Sequence, residues 1–417
     1  MRWSVLALVT AAFALSAMSA LAVAPLAPLM RDALDLSHAE VGLFVPAVYL
    51  GGVVMALPAG WLVDRLGVRP TLALGQLATG AGVLLAAAGP TLPPILACLV
   101  LAGFGFAVVN PATGKAIVEW FPPRRRGVAM GIKQTGLTLG GVAGALLLPP
   151  LAVRLGWREA LVVAGGAAVL SAAVVAVAYR RPAAMLGAPA PLERVRIADL
   201  AGTLRRRGVI VLFACGFALS LGQASVLAYL ALFVRDTYAV TAIVAGQALA
   251  LAQAGGAVSR LGWGFVSDWL FGGRRRVGVV ITTIVATVAY AGFALGDRVA
   301  WPAALGLAAL AGAGAFGWVG LYFTLVAEIG GARRAGLLTG VAVMFTWSGV
   351  LVGPLLFGAA LHAAGGYTLP WLLLAVIALA AAGALASLRP LVQRGAVPEP
   401  TESPGSGGPG ARATAGR

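Results

Sequence analysis

Twelve stretches, each of about 20 or more predominantly apolar residues, follow one another along the 417 residues of this chain. They lie near residues 4–29, 41–63, 71–89, 93–120, 127–152, 159–179, 208–234, 241–267, 277–296, 302–328, 336–362 and 369–388. An α-helix rises 1.5 Å per residue, so about 20 apolar residues cross the ~30 Å hydrocarbon core of a bilayer. The pattern predicts an all-α membrane protein with 12 transmembrane helices. A chain that is 60% hydrophobic and only 11% charged is too apolar for a soluble globular domain. The first stretch begins like a signal peptide, with Arg2 ahead of an apolar run, but it continues to Met30, a length that suits a spanning helix.

A net charge of +16 in a soluble chain would suggest nucleic acid as a partner. Here the arginines fall in short clusters between the apolar runs, and topology accounts for them. With the N-terminus, the even-to-odd connections, the central linker and the tail on one side, that side holds 22 of the 30 basic residues. Five lie on the other side (Arg31, Arg154, Arg158, Arg235, Arg298) and three lie within the membrane. The positive-inside rule then predicts both termini in the cytoplasm, with the bacterial inner membrane as the expected location. No basic face is left over, and no nucleic-acid partner is expected.

The two halves of the chain repeat each other. Phe13-Ala14-Leu15-Ser16 recurs as Phe217-Ala218-Leu219-Ser220, Arg31-Asp32 as Arg235-Asp236, and Gly60 with Asp64 as Gly264 with Asp268, at an offset of 204. Gly103, Glu119, Gly131, Gly140 and Gly144 recur as Gly312, Glu328, Gly340, Gly349 and Gly353 at an offset of 209. Six helices per half in one orientation make a parallel repeat about an axis along the membrane normal, which places a binding site between two six-helix bundles. The expected division is residues 1–180 and 208–388 for the bundles, 181–207 for a cytoplasmic linker and 389–417 for a disordered tail. An interfacial amphipathic helix is expected from Leu192 to Arg207, and the molecule is expected to be a monomer. The glycines of the fifth run and Gly349, Gly353 and Pro354 of the eleventh are expected to let these helices pack closely between the halves.

After the second run comes Gly60-Trp61-Leu62-Val63-Asp64-Arg65-Leu66-Gly67-Val68-Arg69. Gly60 permits close helix approach, Asp64 ends the helix where it pairs with a cation, and Gly67 makes the turn. A weaker second copy, Gly264-Phe265-Val266-Ser267-Asp268, argues against an ordinary charged turn. The pattern resembles the major facilitator superfamily, whose loop between helices two and three carries Gly-x-x-x-Asp-Arg-x-Gly-x-Arg. The resemblance covers residues 1–388. It implies that Gly60, Asp64, Arg65, Gly67, Arg69 and Asp268 belong to a cytoplasmic gate that releases during alternating access. The drug/proton antiporters of that superfamily carry a Gly-Pro motif on helix five, and Gly140-Gly141 departs from it.

The chain has only two lysines, Lys115 and Lys133, and both lie inside apolar runs, as does Arg260. A charge near the bilayer centre costs roughly 2.5 to 3.5 kcal/mol on insertion scales, so each is a functional candidate. At 1.5 Å per residue all three sit about 10 to 12 Å from the cytoplasmic ends of helices four, five and eight. No carboxylate sits equally deep, and a cationic interior attracts an anion. Each has an alternative. Lys115 precedes Glu119 by four residues and would pair with it, and Lys133 would snorkel to the cytoplasmic face. Arg260 offers a fork suited to a carboxylate. The stretch Arg260-Leu261-Gly262-Trp263-Gly264 also resembles helix eight of monocarboxylate and oxalate carriers, which implies an arginine that binds the substrate carboxylate. Those carriers often place an aspartate where Gly256 stands and a lysine on helix one, where this chain has Ser16 and Ser19. Asn110, Gln223, Tyr229, Tyr322 and Trp347 are candidate lining residues, as are Ser19, Gln253 and Trp318, with interhelical packing as the other reading.

These features predict a secondary carrier for a small organic anion, a mono- or dicarboxylate, working by alternating access. Alternatives are an efflux carrier for hydrophobic drugs, which would want a buried carboxylate for proton coupling, and a non-transporting sensor on the same fold. No Ser/His/Asp set, His/Cys metal spacing or Gly-x-x-x-x-Gly-Lys-Ser/Thr loop is present, so no catalytic residue, metal or cofactor is expected. His38 and His362 are expected to be exposed bystanders near the outer face.

Overall fold

The computed structural model describes residues 2–180, 206–271 and 274–388. The tail and all but the last two residues of the expected interfacial helix lie outside the described residues. The first half comprises α1 (Arg2–Ala20), α2 (Val23–Leu34), α3 (His38–Val41), α4 (Phe44–Leu66), α5 (Val68–Ala88), α6 (Leu92–Trp120), α7 (Pro123–Leu155) and α8 (Trp157–Ala178). The second comprises α9 (Arg207–Tyr238), α10 (Ala242–Trp269), α11 (Arg275–Ala294), α12 (Trp301–Ala364) and α13 (Thr368–Ser387), with a 3₁₀ turn at Gly296–Arg298. No strand occurs among the described residues. Twelve segments are long and apolar enough to cross a membrane, so the protein is an integral membrane protein of two six-helix bundles.

Two departures from the simple reading have local causes. The first span is α1 and α2 in series, broken at Leu21 and Ala22. Pro25 has no N–H to offer Leu21, so the backbone tightens there, with Ala22 bonding to Ser19 and Ala24 to Leu21. Conversely, α12 is one helical run of 64 residues that contains two spans, Trp301–Ile329 and Leu338–Ala364. Tyr322 rests against Gly216 and Gly349 against Phe217. The two α12 residues are 27 apart, about 40 Å in a straight helix, so contact with adjacent residues of α9 requires the run to fold back between its spans.

The repeat is visible in the packing. A Cβ on Gly103 would strike the carbonyl of Val48, and a Cβ on Gly312 would strike that of Ala252. These are the same contact in the two halves, span four on span two and span ten on span eight, and only glycine admits so close an approach. The glycines of α7 behave differently from expectation. Gly136 and Gly140 meet α1 within their own half, and Gly349 and Gly353 meet α9 within theirs; only Gly141 reaches across, to Gln253. These glycines mainly weld helices inside each bundle.

Candidate binding cavity

We call the side where the chain starts the near face and the opposite side the far face. A cavity of about 540 Å³ lies between the halves, from mid-depth toward the near face. Its polar lining includes Asn110, Lys133, Gln134, Gln223 and Arg260, and much of the rest is aromatic. Among the described residues no carboxylate lines it, so the two cations Lys133 and Arg260 face an interior without a described counter-charge.

Arg260 is held at one point and free at the other. Its Nε donates to the carbonyl of Phe316 at 2.8 Å, which fixes the guanidinium plane. The two terminal amino groups have no hydrogen-bond partner among the described residues, and the side chain borders the cavity. A planar fork so presented matches a carboxylate. Lys133, only 2% exposed, is engaged throughout. Its Nζ donates to Asn110 Oδ1 at 2.5 Å, to Gln134 Oε1 at 3.0 Å and toward the Asn110 carbonyl at 3.5 Å. It also lies 4.7 Å from the centroid of the Phe13 ring. Neutral acceptors and a ring face hold the charge in place without cancelling it.

Lys115 does not join them. It turns to α4, donating to Asp64 Oδ1 at 2.7 Å and to the Val63 carbonyl at 3.2 Å, and it does not line the cavity. Its expected partner Glu119 instead accepts from the Tyr179 hydroxyl at 3.3 Å. The structure therefore places Lys115 with the near-face loop. There Gly67 takes φ +84°, a left-handed conformation that favours glycine. Arg65 lies over Trp61 at 5.1 Å, and Arg69 is exposed. A Cβ added to Gly60 would meet nothing within 4 Å, so Gly60 makes no close helix contact here. The side chain of Asp268 lies outside the described ones.

Of the other candidates, Asn110, Gln223, Trp347 and Trp318 border the cavity; Ser19, Gln253, Tyr229 and Tyr322 do not. Tyr322 is buried behind the wall, edge-on to Trp318. Tyr229 is buried farther out, stacked on Phe357 at 4.5 Å. Sequence reasoning missed Tyr49 and Gln134. Tyr49 is an aromatic with a polar tip in the middle of an apolar run, the same signal that picked out Tyr229 and Tyr322. It meets Trp347 edge-on at 6.0 Å, joining the halves at mid-depth.

The far face is closed by a reciprocal set of ion pairs. Arg31 of the first half donates to Asp236 of the second at 2.7 Å, and Arg235 of the second pairs with Asp32 of the first. The repeated Arg-Asp dipeptide thus complements its own copy. Asp236 Oδ2 also accepts from the Tyr367 hydroxyl at 2.7 Å and lies 3.1 Å from His38 Nε2. Tyr229 adds a bond from its hydroxyl to the His38 carbonyl at 2.9 Å. His38, expected to be a bystander, sits inside this latch, and so does Tyr229.

Comparisons with known proteins bear on the family and the fold. An uncharacterized MFS-type transporter of Mycobacterium tuberculosis is 28% identical over 292 residues, 69% of this chain. The match spans 63% of that relative's length. Monocarboxylate transporter 11 of Mus musculus is 33% identical over 343 residues, covering 76% of this chain and 71% of the relative. A probable sulfoacetate transporter of Cupriavidus necator is 32% identical over 140 residues, a third of each chain. In fold, the chain resembles a bacterial homologue of the human lysosomal transporter Spinster, solved in an inward-facing, unoccupied conformation, with a TM-score of 0.77, 18% identity and coverage of 92% and 96% of the two chains. The sequence profile of the Major Facilitator Superfamily matches residues 9–354. With twelve spans, a duplicated bundle and a cavity between the halves, this chain belongs to the Major Facilitator Superfamily.

Proposed function

We propose that this transporter is a secondary carrier of a small organic anion, a carboxylate, which it exposes alternately to the two sides of the bacterial inner membrane. The observation that carries the reading is the fork of Arg260, unpartnered among the described residues, in a cavity whose described lining has a second cation, Lys133, and no acidic residue. An uncompensated charge in a low-dielectric interior is costly, and a bound anion offsets that cost. Arg260 supplies the directional contact, and Lys133 raises the potential that draws the anion in. The near face is cytoplasmic on this reading, so the cavity faces the cytoplasm and the Arg-Asp latch seals the outside. Moving to the other state requires the latch to part and the near-face elements around Asp64 to close. The relatives named monocarboxylate and sulfoacetate transporters are anion carriers by name, which supports the substrate class. A carrier of hydrophobic cationic drugs fits less well, because two fixed positive charges repel such a ligand and the described cavity lining offers no carboxylate.

The test is uptake into proteoliposomes across a panel of radiolabelled anions and neutral analogues. Anions alone are expected to accumulate or exchange. Arg260→Ala is expected to abolish transport, and Arg260→Lys to keep the charge but lose most of the rate. Undiminished transport by Arg260→Ala overturns the site.

A further inference from the structure

We infer that the anion is an aromatic monocarboxylate, with one acidic head for Arg260 and a ring for the cavity wall; this rests on the anion reading above. The head count follows from how the two cations are occupied. Arg260 has a free fork for one carboxylate. Lys133 has its hydrogens directed to Asn110 Oδ1, Gln134 Oε1 and the Asn110 carbonyl, and its remaining face covered by the Phe13 ring. A second carboxylate would have to displace two side-chain acceptors to reach Lys133, so a dianion gains no ready partner for its second charge.

The body follows from the wall. A cavity of about 540 Å³ is far larger than a two- or three-carbon acid needs and falls in the range that holds drug-sized ligands. Tyr49, Trp318, Phe323 and Trp347 all border it together with Arg260. Tyr49 and Trp347 meet edge-on from opposite halves, a geometry that leaves ring surface for a further aromatic group. The Tyr49 hydroxyl has no hydrogen-bond partner among the described residues and borders the same cavity as the Arg260 guanidinium. It is placed to donate to the carboxylate that Arg260 holds. A ring between these walls would touch both halves at once, so occupancy would be sensed across the interface.

Binding is measured by calorimetry on the purified full-length carrier with propionate, succinate, phenylacetate, cyclohexylacetate and neutral phenylacetamide. Phenylacetate is expected to bind at least tenfold more tightly than propionate or succinate and at least threefold more tightly than cyclohexylacetate, with phenylacetamide not binding. In Trp347→Leu the advantage of phenylacetate over propionate is expected to fall below threefold. Phe323→Leu serves as the second variant should the first lose its folded thermal transition. Succinate or propionate binding as tightly as phenylacetate overturns this inference and leaves the anion reading standing. Binding of phenylacetamide without any of the acids overturns both.

Discussion

Replacing Asp236 by asparagine should loosen the far face selectively, and the size of the effect follows from the contacts. Asp236 Oδ2 receives Arg31 and Tyr367 at 2.7 Å each and faces His38 at 3.1 Å. The amide so introduced would still accept from Tyr367 but would leave Arg31 without its opposite charge across the interface. The side chains of Arg31 and Asp236 are 18% and 21% exposed, between the two well-measured regimes. Breaking a buried pair costs about 3 to 5 kcal/mol, and a fully exposed pair is worth roughly 0.2 to 1. A value of about 2 kcal/mol is therefore expected, which multiplies the ratio of far-open to far-closed molecules roughly thirtyfold. Asp32→Asn, at 44% exposure, should shift it only about fivefold. Spin labels at Ala33→Cys and Ala363→Cys, both exposed on the far side of opposite halves, read this ratio by pulsed electron resonance after Cys98 and Cys215 are replaced. Asp35→Asn is the control, an exposed aspartate that makes no ion pair among the described residues. The latch reasoning is refuted if Asp236→Asn leaves the distance distribution unchanged, or if Asp35→Asn changes it as much.

Four further outcomes are expected. Lys115→Met should leave anion affinity within twofold, as measured by calorimetry, because Lys115 pairs with Asp64 outside the cavity; a large loss would return it to the binding site. Gly103→Val and Gly312→Val should each cost about 2 to 3 kcal/mol, read as a lowered Tm, because each side chain meets a backbone carbonyl that cannot move away. Gly166→Ala, with open space beyond its Cα, should instead raise stability by about 0.5 to 1 kcal/mol. Tyr229→Phe removes one hydrogen bond worth about 1 kcal/mol, so it should raise the far-open population about fivefold in the same labelled protein without altering anion affinity.

Span number, repeat and near-face turn were legible because each rests on a one-dimensional signal: apolar length, fixed offset, glycine spacing. What a side chain does inside the bundle was less so. Lys115 shows why: its nearest acidic residue along the chain is Glu119, but its partner is Asp64, 51 residues away on another helix. Helical periodicity places Tyr49, Tyr229 and Tyr322 at useful depths, yet the rotation of each helix decides which one reaches the cavity. The repeated Arg-Asp dipeptide was visible as a repeat, but its reciprocal pairing emerges only when the two halves face each other about their common axis. The break at Leu21 was legible in principle from Pro25, and the long apolar run concealed it.

The reciprocal latch has an electrical consequence. Each half contributes one arginine and one aspartate to it, so neither half carries net charge there. If the halves rock apart as the proposed cycle requires, the parting residues move equal and opposite charge together, and the transmembrane voltage does no net work on them. The charge on which the voltage would act is instead in the cavity: the cations Arg260 and Lys133 when empty, and one unit less with the proposed monoanion bound. Since a full unit of charge crossing 100 mV is worth about 2.3 kcal/mol, the empty and loaded carriers should respond unequally to membrane potential. A voltage-dependent cycle would then be set at Arg260 and Lys133, with the far-face seal as an electrically silent partner.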